Sequence, residues 1–137
     1  MTYDAHPTGR VTYSNPPDLF DPTGPWSIVA SGGPFVFLAG MRGIDPETNA
    51  LVVGDTARTR QVFTNLQRAA RSVGLDLDSI MRLTVYVTDM AAHRPLVNQI
   101  QQEFWGNGPY PPRTILEVSG LNQEDFVEVE ATLYRAA

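Results

Sequence analysis

Residues 56–73, TARTRQVFTNLQRAARSV, and residues 80–88, IMRLTVYVT, decide the fold, because the spacing of apolar residues changes between them. In the first stretch the apolar residues recur at helical spacing and form one stripe: Val62, Phe63, Leu66, Ala69, Ala70 and Val73. We predict a helix there, with Asp55 as its N-cap and Gly74 just past its end. The second stretch alternates with a period of two and predicts a strand that carries Met81, Leu83, Val85 and Val87 on one face.

The segments on either side predict the remaining elements: strands at 11–13, 27–30 and 35–39, a helix at 93–105, and strands at 113–118 and 126–134. Pro95 would be tolerated in the first turn of the second helix. Ser31-Gly32-Gly33 lacks the spacing of a phosphate-binding loop and indicates a hairpin turn. The order of elements predicts an α+β fold, with both helices on one face of a mixed sheet, and residues 1–137 as a single domain.

Composition excludes several kinds of chemistry. The 137 residues contain no cysteine, which removes disulfides and thiolate nucleophiles, and no lysine, which removes Schiff-base catalysis. His6 and His93 are the only histidines and lie far apart, so we predict no metal site. A net charge of −5 without an arginine cluster argues against a nucleic-acid partner. No apolar stretch approaches the ~20 residues that span a membrane, and the N-terminus lacks a signal-peptide core, so we expect a cytoplasmic protein.

The strand alternation suggests a polar site near the end of the chain. Arg113, Ile115 and Glu117 share one face of their strand, while Glu128 and Glu130 point away from the apolar row of the last strand. If these two strands pair, the arginine and the glutamates meet on the face without helices, where subunits could also contact each other. Arginine suits a substrate carboxylate, and a glutamate could handle water. Spacing alone, however, favours structural ion pairs over a reactive site.

Several motifs resemble, in order, those of the Rid family (reactive intermediate deaminases, YjgF-type). They are Leu38-Ala-Gly-Met-Arg-Gly-Ile-Asp-Pro-Glu-Thr48, Thr59-Arg-Gln-Val-Phe-Thr-Asn-Leu66, Val73-Gly74, Thr84-Val-Tyr-Val-Thr-Asp-Met90, Val97-Asn98 with Glu103-Phe104, Pro111-Pro-Arg-Thr114 and Val127-Glu-Val-Glu-Ala131. The resemblance covers roughly residues 24–135. Each piece is short, and the ordered set is what makes the resemblance specific.

The resemblance implies a chorismate-mutase-like fold that assembles as a homotrimer with sites between subunits. It also implies an enzyme that hydrolyses enamines and imines, such as 2-aminoacrylate, to 2-oxo acids and ammonia. No metal or organic cofactor is needed for that reaction in the family. The partners expected for this chain are therefore small imine or enamine carboxylates and further copies of itself, with no nucleic acid and no membrane.

Functional residues carry over from the resemblance position by position. Arg113 matches the arginine that binds the substrate carboxylate, assisted by the backbone of Ile115 and of Gly40. Glu128 matches the acidic residue that positions the attacking water. Asn98 matches a supporting polar residue.

Three positions depart from the family's commonest pattern. Trp26 replaces a tyrosine, Ala39 replaces a serine and Ile115 replaces a cysteine. The resulting pocket is expected to be larger on one side and less polar, and Trp26 could stack on a conjugated or aromatic substrate. Two alternatives therefore stay open: a pathway-specific deaminase of the aminomuconate type, and a non-catalytic trimer that binds small carboxylates or a protein partner with a regulatory or chaperone-like role. RNA cleavage, sometimes attached to the family's name, is disfavoured by the acidic charge balance.

Overall fold

The computed structural model describes residues 10–136. His6, one of the two histidines considered above as metal ligands, lies outside the described residues. Its elements in chain order are β1 (Thr12–Ser14), β2 (Val29–Gly32), β3 (Phe35–Met41), β4 (Ile44–Asp45), β5 (Ala50–Leu51), α1 (Asp55–Arg71), β6 (Ile80–Val87), α2 (Met90–Trp105), β7 (Arg113–Glu117) and β8 (Val127–Tyr134). Short 3-10 turns at Leu77–Ser79 and Asn122–Glu124 precede β6 and β8. In the described part of the chain, neither helix has the length and apolarity to cross a membrane.

Six strands form one mixed sheet in the order β1-β2-β3-β8-β6-β7, and β4 and β5 form a small separate hairpin. Neighbours in the large sheet are antiparallel except β6 and β7, which run parallel. Both helices pack on one face of the large sheet. The predicted α+β architecture is thus confirmed, and the turn at Gly33 joins β2 to β3 as a hairpin, as predicted.

The core lies between the helices and the sheet. In the central strand β8, Val127, Val129, Ala131 and Leu133 are all buried and alternate with more exposed residues, as the period of two requires. The predicted stripe of α1 faces them, with Val62, Phe63, Leu66, Ala69 and Ala70 fully buried and Val73 partly buried at the edge. Each fully buried valine, leucine or phenylalanine side chain in this layer stabilises the fold by about 1.5–3 kcal/mol, which makes the layer the main source of stability.

The helix boundaries differ from the prediction at their N-termini. Asp55 is not the N-cap of α1 but lies in its first turn. The N-cap is Gly54, which has a φ of 96° and no side chain that could cap the helix. Gly74 does follow the end of α1, with a φ of 77° that favours glycine. α2 begins at Met90, because the Asp89 side chain accepts a hydrogen bond from the Ala92 amide.

Two further expectations about side-chain placement are wrong for local reasons. Because α2 starts three residues early, Pro95 lies inside the helix rather than in its first turn. Met81 is 48% exposed, since an irregularity between Ile80 and Arg82 shifts the register of β6 and places Ile80 in the core instead.

Part of the face of the sheet without helices is apolar and exposed. It carries four aromatic side chains that are 41–54% exposed: Tyr13, Phe35, Phe37 and Tyr134. They are neighbours, because Tyr13 pairs with Ala30, Ala30 pairs with Phe37, and the Phe35 ring meets the Tyr134 ring edge-on at 6.1 Å. Contiguous apolar surface of this kind marks a place where another molecule binds.

Candidate functional site

The polar residues predicted to meet on one face lie on opposite faces of the sheet. β7 pairs with β6 and not with β8, and Arg113 stands in the same row as buried Leu83. Arg113 therefore points towards the helices. Glu128 stands beside Tyr86 on the face without helices. The last two strands do not pair, which was the condition for that arrangement, because β8 lies between β3 and β6 and leaves only the sheet edge for β7.

Arg113 is held by the second helix. Its Nη1 donates to Asn98 Oδ1 at 2.8 Å and to Gln101 Oε1 at 2.9 Å, and both partners lie on α2. These residues line an open cavity of about 490 Å³ together with Gln102, Tyr110 and Pro111. Asn98, expected as a supporting polar residue of the site, thus contacts Arg113 directly, and Gln101 is a second partner that spacing did not indicate.

The charge of Arg113 has no acidic counterpart in the part of the chain that the structure describes. Within residues 10–136 no carboxylate forms an ion pair with it, although Arg42, Arg58, Arg60 and Arg71 all have one. Burial, and then the like charge of Arg94, lower the pKa of Arg113. Both causes penalise the positive charge of the Arg113 guanidinium, and an incoming anion would offset that penalty.

Glu128 lies in a different cavity, of about 380 Å³, at the end of β3. The cavity is lined by Phe20, Thr23, Trp26, Ala39, Gly40, Arg42, Ile44, Asn122 and Glu128. The structure thus brings together three of the predicted site residues, Trp26, Gly40 and Glu128. Ile115 lies elsewhere, on the helix-facing side beside Val85, and packs against the core.

Gly40 makes room for the glutamate. A Cβ atom placed on Gly40 would lie 2.5 Å from Glu128 Oε2, closer than any real contact. The pairing of β3 with β8 is irregular between Leu38 and Met41, the stretch that contains Gly40. A glycine is therefore required here for close approach and not for a positive φ.

The environment of Glu128 alters its acidity. Burial raises the pKa of the Glu128 carboxyl; Arg42 acts in the opposite direction, and the charges of Glu130 and Asp125 raise it further. On the same face the Tyr86 hydroxyl donates to Glu130, and this bond is the main cause that raises the pKa of Tyr86 to about 12. A carboxyl with raised pKa in a cavity is suited to proton transfer.

The sequence prediction missed a buried charge cluster next to this cavity. Arg42 is 4% exposed and Asp125 is 1% exposed, and their side chains form an ion pair at 3.1 Å, with Arg58 as a second partner of Asp125 at 3.4 Å. The sequence offered one signal, since Arg42 is a charged residue within an apolar segment. It did not identify the partner, Asp125, which lies 83 residues away. Among residues 10–136 no group of three or more acidic or histidine side chains is arranged to hold a metal ion.

The sequence matches a known protein family over most of its length. The sequence profile of the family described as "Endoribonuclease L-PSP" matches residues 17–134. A RutC family protein of Pyrococcus horikoshii is 36% identical over 115 residues, covering 83% of this chain and 90% of the relative. A protein of Dermatophagoides farinae named 2-iminobutanoate/2-iminopropanoate deaminase is 27% identical over 111 residues, covering 80% of this chain and 85% of the relative.

A solved structure extends the similarity to the whole fold. A probable translation initiation inhibitor from Rhodopseudomonas palustris superposes with a TM-score of 0.87 at 46% identity, covering 91% of this chain and 97% of the other. The chain thus matches these proteins along nearly all of their length.

Proposed function

The chain belongs to the YjgF/Rid family, and on that premise we propose that it is a hydrolytic deaminase of reactive enamines and imines that carry a carboxylate. The products would be a 2-oxo acid and ammonia. The observation that carries the proposal is the state of Arg113: a half-buried guanidinium held by two neutral amides, with no acidic partner in residues 10–136.

The names of the relatives suggest different activities, and charge favours one of them. A family description that mentions a ribonuclease would suggest a polyanionic substrate, whereas this chain has a net charge of −5 and no lysine. An RNA-binding surface needs clustered positive charge. The deaminase of Dermatophagoides farinae acts, by its name, on imino acids, whose single carboxylate one guanidinium can bind through two parallel hydrogen bonds.

The reaction needs only water and a proton carrier. An enamine tautomerises to its imine, and water then adds to the C=N carbon while Glu128 takes a proton from it. The nitrogen gains that proton to give a carbinolamine, a second proton then moves from its hydroxyl group to the nitrogen, and the C–N bond breaks, so that ammonia leaves and the 2-oxo acid remains. A carboxyl whose pKa is raised by burial can both accept and return a proton in this cycle.

Two copies of the chain are needed for one complete site. Arg113 and Glu128 lie on opposite faces of the sheet, with β6 between their strands, so one small substrate cannot touch both within a chain. We infer that the uncovered aromatic face binds another copy and that Arg113 of one subunit meets the Glu128 cavity of the next. A homotrimer, in which three head-to-tail seams close a ring, satisfies this requirement.

The substrate side chain could be bulky. Trp26 and Ala39, the two departures that remove hydroxyl groups, also line a second, mostly apolar recess of about 550 Å³ beside the Glu128 cavity. Ile28, Leu38 and Phe37 line the same recess. An imine with an aromatic or branched side chain therefore fits better than 2-aminoacrylate alone.

The test is release of ammonia and 2-oxo acid from imines generated in place by an amino-acid oxidase, across small, branched and aromatic side chains. We expect the protein to accelerate release, and we expect Arg113→Ala and Glu128→Gln to lose about 100-fold or more, because each removes a charged group that contacts substrate or water. Arg60→Met is the matched control, since Arg60 pairs with Glu103 on the surface.

Two results would overturn the proposal. Acceleration that persists in both Arg113→Ala and Glu128→Gln would remove these residues from the site. Tight binding of imino or oxo acids without turnover of any imine would instead identify a carboxylate-binding protein, which the absence of hydroxyl groups at Trp26 and Ala39 also allows.

A further inference from the structure

Arg42 is a buried arginine at the floor of the Glu128 cavity, and three of its five N–H donors are used in hydrogen bonds. Nη1 donates to Asp125 Oδ2 and to the Asn122 carbonyl, both at 3.1 Å, and Nη2 donates to Gln123 Oε1 at 2.8 Å. The side chain thus ties the end of β3 to the loop 121–125. A planar guanidinium fork is suited to holding several acceptors in a fixed geometry.

The loop that Arg42 holds has an unusual backbone. Gln123 and Glu124 adopt φ values of 59° and 56°, in the left-handed region that non-glycine residues avoid. Such conformations persist only where surrounding contacts impose them, and they collect at functional sites. Asn122, at the start of this turn, lines the Glu128 cavity and donates across it to Thr23 Oγ1 at 3.4 Å. The contacts of Arg42 therefore fix one wall of the cavity.

Arg42 also faces Glu128 directly. Its Nε lies 3.8 Å from Glu128 Oε1, within range of an ion pair but too far for a hydrogen bond. The charge can therefore hold the carboxylate in place without occupying the oxygen lone pairs that water would need. Asp125 neutralises Arg42 from the other side, and its own remaining oxygen accepts from Arg58 and from the Phe126 amide.

From these contacts we propose that Arg42 is a positioning residue for Glu128: it fixes the 121–125 loop as a cavity wall and orients the glutamate that handles water. The inference rests on the proposed function for the role of Glu128. Arg42 itself does not contact the substrate in this proposal: its Nη1 and Nη2 donate to the loop, and its Nε faces Glu128.

The charged and titratable groups around Glu128 set the direction of the test. Arg42 faces it from the end of β3, Asp125 from the loop, Glu130 from its own strand, and Tyr86, bonded to Glu130, from β6. Arg42 is the sole member of this set that favours the ionised carboxylate. Its removal therefore shifts the Glu128 titration to higher pH, and a reaction that needs the carboxylate ionised loses rate at the acidic end of its profile.

The experiment compares wild type, Arg42→Met, Arg42→Lys and the surface control Arg60→Met. The Glu128 carboxyl is titrated by carbon-13 NMR without substrate, with Glu128→Gln to assign the signal, and kcat is measured against pH. In Arg42→Met we expect both midpoints to move to higher pH and the rate at the acidic end, relative to the plateau, to fall on the order of tenfold, because an opposite charge at this distance typically moves a pKa by about one unit or more. Arg42→Lys should restore the titration but not the full kcat, because lysine lacks the fork.

Folding is controlled by a second variant. If Arg42→Met does not fold, Arg42→Met/Asp125→Leu replaces the buried ion pair by apolar groups, a change that proteins often tolerate. A smaller upward shift is expected there, since the effect of Arg42 on Glu128 exceeds the opposite effect of Asp125. An unchanged Glu128 titration in a folded Arg42 variant overturns the inference. Full activity of both Glu128→Gln and Arg113→Ala would overturn the proposed function instead, while the NMR titration would still decide whether Arg42 holds Glu128.

Discussion

Arg113 and Arg42 are both partly or fully buried arginines beside a cavity, yet they are held in opposite ways. The partners of Arg113 are the neutral amides of Asn98 and Gln101. The partners of Arg42 include the carboxylates of Asp125 and Glu128. The first guanidinium keeps its positive charge available, and the second has its charge neutralised within the protein.

This difference separates a receptor from a structural support. Amide oxygens orient a guanidinium without cancelling its charge, so an anionic ligand still gains the full electrostatic attraction. Carboxylates cancel the charge and stabilise a buried loop, at the cost that loss of either partner leaves an isolated charge in the interior. The same residue type thus binds substrate in one place and organises the cavity in the other.

The largest expected effect tests the structural half of the comparison. Asp125→Ala removes the carboxylate that neutralises Arg42 and leaves a buried cation, so we expect a loss of about 3–5 kcal/mol in the free energy of unfolding. Arg113→Ala, whose partners are neutral, should lose about 1 kcal/mol or less per hydrogen bond. Urea unfolding followed by circular dichroism measures both. Equal losses would mean that the two arginines do not differ as described.

Mixing variants tests whether the two halves meet between subunits. Arg113→Ala and Glu128→Gln should each be nearly inactive alone, but co-refolding them in equal amounts should restore about a quarter of wild-type activity, because one seam in four in a head-to-tail ring joins an intact Arg113 to an intact Glu128. Ammonia release measures the recovery. A mixture no more active than its components would place both residues in a site within one chain or in no common site.

Gly40→Ala tests the glutamate side without touching a charge. The new methyl group would overlap Glu128 Oε2 and displace the flexible carboxylate. We expect kcat to fall about tenfold while the free energy of unfolding changes by about 1 kcal/mol or less, since the overlap falls on the end of a side chain and not on backbone. Unchanged kcat in a folded variant would show that the position of Glu128 does not limit the rate. Ala39→Gly, next to Gly40 in the sequence, is the control.

The smallest expected effect comes from giving Arg113 an acidic partner of the kind that Arg42 has. Asn98→Asp places a carboxylate next to Arg113, where it competes with the substrate carboxylate. We expect KM to rise about two- to fivefold with little change in kcat, because an exposed ion pair is worth only about 0.2–1 kcal/mol. Asn98→Ala is the matched control, which removes the amide without adding charge. A KM no higher in Asn98→Asp than in Asn98→Ala would argue against an anion at Arg113.

Local patterns predicted the elements and the core well. The period of two in β8 and the helical stripe of α1 were confirmed residue by residue, because burial of one face imposes those periods on the sequence itself. Boundaries were less certain: a glycine preceded α1 where a capping aspartate was expected, and one irregular pair moved Met81 to the surface.

The same distinction between local pattern and tertiary contact applies to the candidate site. Alternation within each strand correctly grouped Arg113 with Ile115 and Glu117, and Trp26, Gly40 and Glu128, all singled out from the sequence, line one cavity. The face of Glu128 followed from the apolar row of β8, but the face of Arg113 could not be obtained from alternation, because it depends on which strand β7 pairs with.

By itself the sequence determined the kinds of residue available, the periods that make helices and strands, and the ordered motifs that place the chain in its family. Only the tertiary structure decided that β8 lies between β3 and β6, that Arg113 and Glu128 therefore face opposite sides, and that Arg42 finds Asp125 across 83 positions of chain. Side-chain period is a local property of a strand or helix, whereas strand order and buried ion pairs depend on contacts between segments remote in sequence.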